Sequence, residues 1–131
     1  MAFWKKRIFT EGELEYMNIL WEKGECKPQE IMQELRENGR IVTYGTVRNV
    51  LLVLIEKGFA RRTKTGMFHL YRPAIDKEYA LKNMVQHLLN NAFGGSKSFM
   101  VKSLLKNKDI NIEELDEIER IIYERKKEIN K

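Results

Sequence analysis

Thr43-Tyr44-Gly45-Thr46-Val47-Arg48-Asn49-Val50-Leu51, continued by Leu54-Ile55 and closed by Gly58, is the stretch that decides the fold. Val47, Val50, Leu51, Leu54 and Ile55 recur at the i, i+3, i+4, i+7, i+8 spacing of one helical face. Thr43 is a good N-cap, because its hydroxyl can accept an orphan N–H of the first turn. The stripe fixes which side of the helix faces a core. Thr46, Arg48 and Asn49 are thereby left outward on the first turns, with Gly45 beside them as a point of close backbone approach.

Working upstream, Thr10-Glu11-Gly12-Glu13 fits a capping box. Leu14, Met17 and Ile19-Leu20-Trp21 follow helical spacing, and Gly24 stands where a left-handed C-cap glycine belongs, so a first helix is expected over roughly residues 11–23. Pro28 opens a second helix with Ile31, Met32 and Leu35 on its apolar face, and Asn38-Gly39 ends it. Arg40-Ile41-Val42 reads as a brief extended link or one short strand. Downstream, Phe59–Lys64 and Met67–Arg72 flank Thr65-Gly66, a tight-turn signal, and Pro73 stops the second arm. This is a β-hairpin with arginines on one arm and aromatics on the other. Periodicity does not decide whether Phe68 and Leu70 or His69 and Tyr71 face the core.

From Asp76 the pattern is helical again. Leu81, Met84-Val85, Leu88-Leu89 and Ala92-Phe93 form one apolar face, broken by Gly94-Gly95-Ser96. Phe99-Met100-Val101 with Leu104-Leu105 makes a short helix. After a polar joint, Ile112, Leu115, Ile118, Ile121-Ile122 and Ile129 make a last one, with Glu113-Glu114 at its positive end and Arg125-Lys126-Lys127 at its negative end. The expected fold is mainly α with a small β-hairpin: residues 1–75 around one core, and residues 76–131 as a helical region. About 55 residues of amphipathic helix bury too little to fold alone, so a two-fold dimer is expected through Leu88, Leu104, Leu115, Ile118, Ile121 and Ile122.

Composition narrows the function. The chain has 131 residues, one cysteine and two histidines. Cys26 cannot form an internal disulfide or hold a metal unaided, and its setting between Glu25 and Lys27 reads as a surface turn with a small half-buried side chain. His69 has no local metal partner, and His87 reads as a polar-face residue. No catalytic residue, metal site or cofactor is expected, since the chain has no Gly-rich phosphate loop, nucleophile elbow or His-rich metal motif. No apolar run approaches the ~20 residues of a membrane span. The apolar-then-basic start Met1-Ala2-Phe3-Trp4-Lys5-Lys6-Arg7 has no h-region behind it, so no signal peptide is read and a cytoplasmic location is expected.

Net charge is +5, and its distribution is uneven. Between Arg40 and Arg72 stand seven basic residues (Arg40, Arg48, Lys57, Arg61, Arg62, Lys64, Arg72) against the single acidic Glu56, a net of +6. One segment therefore carries more than the whole charge of the protein, as a phosphate footprint would.

Two short helices, a third helix and a basic hairpin form the order of a winged helix-turn-helix. In that architecture the third helix enters the major groove and its N-terminal residues meet base edges. Here those residues are Thr43, Tyr44, Gly45, Thr46, Arg48 and Asn49. Arginine grips guanine bidentately, asparagine grips adenine, and threonine touches phosphate or a thymine methyl. Arg61, Arg62 and Lys64 of the hairpin suit backbone phosphates or a minor groove. A lone Arg48 would be read as a solvated charge, and the hairpin cations as edge protection. Clustered at this place in the order of elements, they read as DNA contacts. The alternative is a winged-helix protein-interaction module that does not read DNA, against which the +6 segment argues.

With these residues in hand, the chain resembles the BlaI/MecI/CopY family of penicillinase-type repressors. The resemblance rests on Glu13-Leu14-Glu15-Tyr16-Met17 with Ile19-Leu20-Trp21, on Thr43 through Leu51, on Leu54-Ile55-Glu56-Lys57-Gly58-Phe59, and on Tyr71-Arg72-Pro73-Ala74. Gly94-Gly95 falls where that family has a break before its dimerisation helices. The resemblance implies a homodimeric repressor on a dyad-symmetric operator, often with TACA and TGTA half-sites. It implies Thr46 and Arg48 as base or phosphate readers, and targets among β-lactamase, penicillin-binding-protein and copper-export genes. In the β-lactam systems it also implies a membrane sensor protease as partner. Two departures stand out. Copper-responsive members carry a C-terminal Cys-x-Cys cluster, which a chain with only Cys26 lacks. The β-lactam repressors are cut at an Asn-Phe bond, and the corresponding region here reads Phe99-Met100-Val101-Lys102-Ser103-Leu104.

Overall fold

Thr10 starts the first helix as its side chain predicts. Its hydroxyl accepts from the Glu13 N–H at 3.1 Å, and the Glu13 carboxylate accepts from the Thr10 N–H at 2.9 Å. The computed structural model describes residues 9–131; the Met1–Arg7 stretch read for a leader lies outside them. The elements are α1 (Glu11–Lys23), α2 (Pro28–Glu37), α3 (Tyr44–Glu56), β1 (Ala60–Thr65), β2 (Phe68–Pro73), α4 (Lys77–Asn91), α5 (Lys97–Leu105) and α6 (Ile112–Ile129). The fold is mainly helical with one two-stranded antiparallel sheet.

The chain divides into two compact units, one running to Val85 and one from Gln86 to Lys131. In the first, the α3 stripe seats Val47, Leu51 and Leu54 against Met17 and Leu20 of α1 and Ile31 and Leu35 of α2, all of them buried. Each such side chain contributes about 1.5–3 kcal/mol by leaving water. Phe9 and Phe59 pack with ring centroids 4.2 Å apart, and Trp21 meets Phe9 edge-on at 5.9 Å. The Trp21 indole N–H donates to the Ile75 carbonyl at 3.0 Å, tying α1 to the segment that leaves the hairpin. Ala80 is buried in this core and Met84 packs against it, so the first half of α4 lies with the first unit, ten residues beyond the division expected at 75/76.

Three local expectations change. Arg40-Ile41-Val42 forms no strand; the hairpin instead gains a one-residue neighbour at Cys26, whose N–H and C=O exchange hydrogen bonds with Tyr71 at 3.0 and 2.8 Å. Cys26 is accordingly buried rather than half-buried at a surface turn, because the α1–α2 connection is the edge that pairs with β2. The hairpin turn is Gly66-Met67, one residue later than Thr65-Gly66. Thr65 pairs with Phe68, and Gly66 takes φ +64 at the first central position, where an L side chain would be strained.

In the second unit, Gly94 and Gly95 both take positive φ, and Gly95 N–H closes on the Leu89 carbonyl at 2.8 Å. Phe93 meets Phe99 edge-to-face at 5.2 Å. Ser96 caps α5, and Asn111 caps α6 through a reciprocal box with Glu114. From Gln86 on, Leu89 is the one buried side chain. Leu88, Leu104, Ile121 and Ile122 are exposed, while Leu115 and Ile118 are half-buried.

Candidate nucleic-acid interface

α3 is anchored by its buried stripe and presents the rest of its first turns to solvent. The Thr43 hydroxyl accepts from the Thr46 N–H at 3.1 Å and donates to the Thr46 hydroxyl at 3.0 Å. Thr43, Tyr44, Gly45, Thr46, Arg48 and Asn49 are all exposed, while Val47 between them is buried. No acidic residue lies in the first turn of α3, so the partial positive charge of the helix N-terminus is uncompensated. A Cβ built on Gly45 would meet nothing closer than the Thr43 hydroxyl at 3.9 Å, so within the chain the position is open. The ends of the helix therefore differ in character: exposed donors at the start, packed apolar side chains along the stripe.

The hairpin adds cations. Arg61, Arg62 and Lys64 on β1 are exposed, opposite Arg72, Tyr71 and His69 of β2 respectively. Tyr71 and Ala60 are buried, which answers which residues anchor the hairpin: Tyr71 goes inward, Leu70 is half-buried, and Phe68 and His69 are exposed. Lys27 covers the Phe68 ring, with its ammonium 3.9 Å from the centroid.

Of the seven cations counted between Arg40 and Arg72, two are committed within the fold. Arg40 pairs with Glu15 at 2.8 Å, and Lys57 with the buried Glu13. Neither adds a free positive charge to a DNA surface, because each is neutralised by an α1 carboxylate. Arg48, Arg61, Arg62, Lys64 and Arg72 have no ion pair among the described residues. Arg72 belongs to the charge block, and no sequence signal sets it apart from the other cations there. Setting the turn at Thr65-Gly66 would place Arg61 opposite Leu70, whereas the observed register brings it opposite Arg72. Two large apolar side chains also stand out at the loops bracketing α3: Ile41 is 82% exposed in the α2–α3 turn, and Met67 is 93% exposed at the hairpin tip. Neither belongs to a periodic stripe, so pattern reading passes over both.

Among the described residues there is no group of three or more His, Cys, Asp or Glu arranged to hold a metal, and no helix is long and apolar enough to cross a membrane.

The model of the penicillinase repressor family matches residues 9–124, nearly the whole described chain. The chain belongs to the penicillinase repressor family. It is 31% identical over 119 residues to the penicillinase repressor of Bacillus licheniformis, covering 89% of this chain and 91% of that one. It is 26% identical over 118 residues to the penicillinase repressor of Staphylococcus aureus, covering 90% and 93%. The solved hsRosR-S4 complex structure aligns with 98% of this chain and 99% of its own at a TM-score of 0.55 and 17% identity, a likeness of fold. Membership makes this penicillinase-repressor-type protein a DNA-binding repressor, and its winged helix-turn-helix is the part that the α3 geometry describes.

Proposed function

We propose that the chain represses transcription as a homodimer on a dyad-symmetric operator, with α3 in the major groove and the hairpin on the flanking backbone. The observation that carries this reading is the division of α3 into a buried stripe and an exposed first turn of Thr43, Tyr44, Gly45, Thr46, Arg48 and Asn49 with an uncompensated helix N-terminus. Arg48 and Asn49 are the base readers, while Thr43, Thr46 and the α3 N-terminal N–H groups take phosphate. Arg61, Arg62 and Lys64 position the duplex.

The dimer is supported by the second unit, whose apolar residues Leu88, Leu104, Leu115, Ile118, Ile121 and Ile122 have only Leu89 as a buried companion. A two-fold partner covers such surface and sets two α3 helices about one DNA turn, or a multiple, apart. The relatives' names, penicillinase repressor and methicillin resistance regulatory protein, support a β-lactam-resistance-type gene as target; a membrane sensor protease as the upstream partner rests on the family resemblance alone.

Fluorescence-anisotropy titration of the protein against its own promoter region and a scrambled duplex, across a salt series, tests the reading. Promoter-selective binding with a steep salt slope is expected. Equal weak binding to both duplexes sinks it and favours a protein-binding winged helix.

A further inference from the structure

At the base of the hairpin Arg61 and Arg72 are directly opposed across the two strands. Opposed residues of an antiparallel pair have Cβ atoms roughly 4.5–5.5 Å apart and share one face of the sheet, so like charges there repel. Both side chains are exposed, and neither has an ion pair among the described residues. By strand alternation this face is the one opposite Tyr71, which is buried in the core. The pair lines a cleft of about 460 Å³, bounded also by Arg62, Thr63, Gly58 and Ala74. Carboxylates are absent from that lining. A fold that had only to solubilise this edge would set an acidic or neutral residue opposite Arg61. A pair of guanidiniums on one face is instead suited to an anion with several acceptor oxygens, and a phosphate matches their planar donor forks.

We propose that Arg61 and Arg72 form a phosphate clamp. The clamp deepens the operator-binding reading and rests on it, since the phosphate it takes is one of the duplex backbone. Arg72 is then a positioning residue on β2, a strand to which charge content alone assigns no role. The clamp also gives the repulsion a purpose: the cost of opposing two cations in the free protein is relieved only when phosphate arrives. The clamp lies at the α3 C-terminal end of the hairpin, beyond Gly58, whereas Arg48 lies in the first turns of α3. Eight residues of α3, Asn49 to Glu56, separate Arg48 from that end of the helix by about 12 Å. The clamp therefore takes a different phosphate from those nearest the recognition residues, and fixes the angle of the helix in the groove.

Removing one arginine should act in opposite directions on the free and bound protein. Arg72→Gln is expected to lower the salt slope of duplex binding by about one, equally on the promoter and scrambled duplexes, leaving their affinity ratio unchanged. The same variant is expected to raise the Tm of the DNA-free protein, by on the order of 1–3 °C, because the repulsion is gone. Arg72→Lys keeps the charge and should keep the slope. A second arm compares sodium phosphate with sodium chloride at equal ionic strength in thermal unfolding of the DNA-free wild type and the Arg61→Gln/Arg72→Gln double variant. If the slope stays constant but phosphate protects only the wild type, the clamp holds free phosphate rather than the duplex. If the slope is unchanged and phosphate protects no more than chloride does, the clamp is overturned. A fall in Tm in Arg72→Gln without the slope change also overturns it, since Arg72 would then be structural. Should the wild type bind no duplex at all, the operator reading fails, and the phosphate arm still reads the clamp separately.

Discussion

The Lys57 ammonium lies 2.9 and 2.8 Å from the two carboxylate oxygens of Glu13, whose Oε1 also accepts the Thr10 N–H. One carboxylate thus caps the start of α1 and clamps the end of α3. Glu13 is 7% exposed, so its charge is tolerated only because both partners are present. A pair bridging the first and third helices fixes the angle at which the recognition helix leaves the core.

Lys57→Met should therefore cost stability and leave DNA contacts alone. Removing the cation strands a buried carboxylate, with an expected loss of about 1–3 kcal/mol. Urea unfolding measures that loss. The salt slope of promoter binding, taken where the variant is folded, is expected to match the wild type; a slope lower by one would put Lys57 on the phosphate backbone.

Gly45→Ala separates fold from recognition. Alanine is the better helix former by about 0.5–1 kcal/mol, and the position is open within the chain, so thermal stability should rise. DNA affinity should fall, because the added methyl occupies the space into which the duplex backbone comes. A variant that is more stable and binds equally well would remove Gly45 from the interface.

Arg48→Ala tests base reading. If Arg48 reads a base, the promoter-to-scrambled affinity ratio should drop by roughly 10–100-fold, equivalent to about 1–3 kcal/mol. Equal weakening on both duplexes would make Arg48 a phosphate contact.

Ile118→Asp combined with Ile122→Asp should abolish dimers and, with them, promoter-selective binding, while the core around Met17 and Leu51 keeps its stability. Sedimentation equilibrium reads the first effect and thermal unfolding the last. An unchanged sedimentation mass would remove α6 from the dimer interface.

Burial pushes the Cys26 thiol from 9.0 to about 11, with Glu30 adding to the rise. Folding therefore holds a proton that the unfolded chain releases from about pH 9. Stability contributed by the neutral thiol is fully present below pH 9 and is lost as pH rises toward 11, at about 1.4 kcal/mol per unit. Unfolding curves of the wild type and Cys26→Ala should diverge over that window alone. Iodoacetamide should leave the native thiol unmodified at pH 8; rapid labelling there would contradict its burial.

Much of this was legible in the chain because it is local. Thr10 and Glu13, three residues apart, specify their own capping box. Pro28 and Gly24 punctuate without outside help, and the spacing of Val47, Leu51 and Leu54 names the buried side of α3. Even the exposure of Arg48 and Asn49 follows from that stripe, since 3.6 residues per turn leave them no other side. The family resemblance rests on the same local strings.

What the sequence could not supply depended on pairing between distant segments. Cys26 looked like a surface turn because its partner, Tyr71, is forty-five positions away and the bridge between them exists only once β2 is laid beside the α1–α2 connection. Arg40 and Lys57 looked like part of a phosphate footprint because a charge count does not see that Glu15 and Glu13 neutralise them across helices. The opposition of Arg61 and Arg72 hung on a turn one residue later than expected, and each such step moves the facing residue by two. Local periodicity and capping are set by backbone geometry within a few residues, so the sequence by itself determined the elements, their faces and the exposed start of α3. Which charges stay free for DNA, which cysteine is sealed and which arginines confront each other were decided only by the tertiary structure, because electrostatic partners and strand register are properties of space and not of order along the chain.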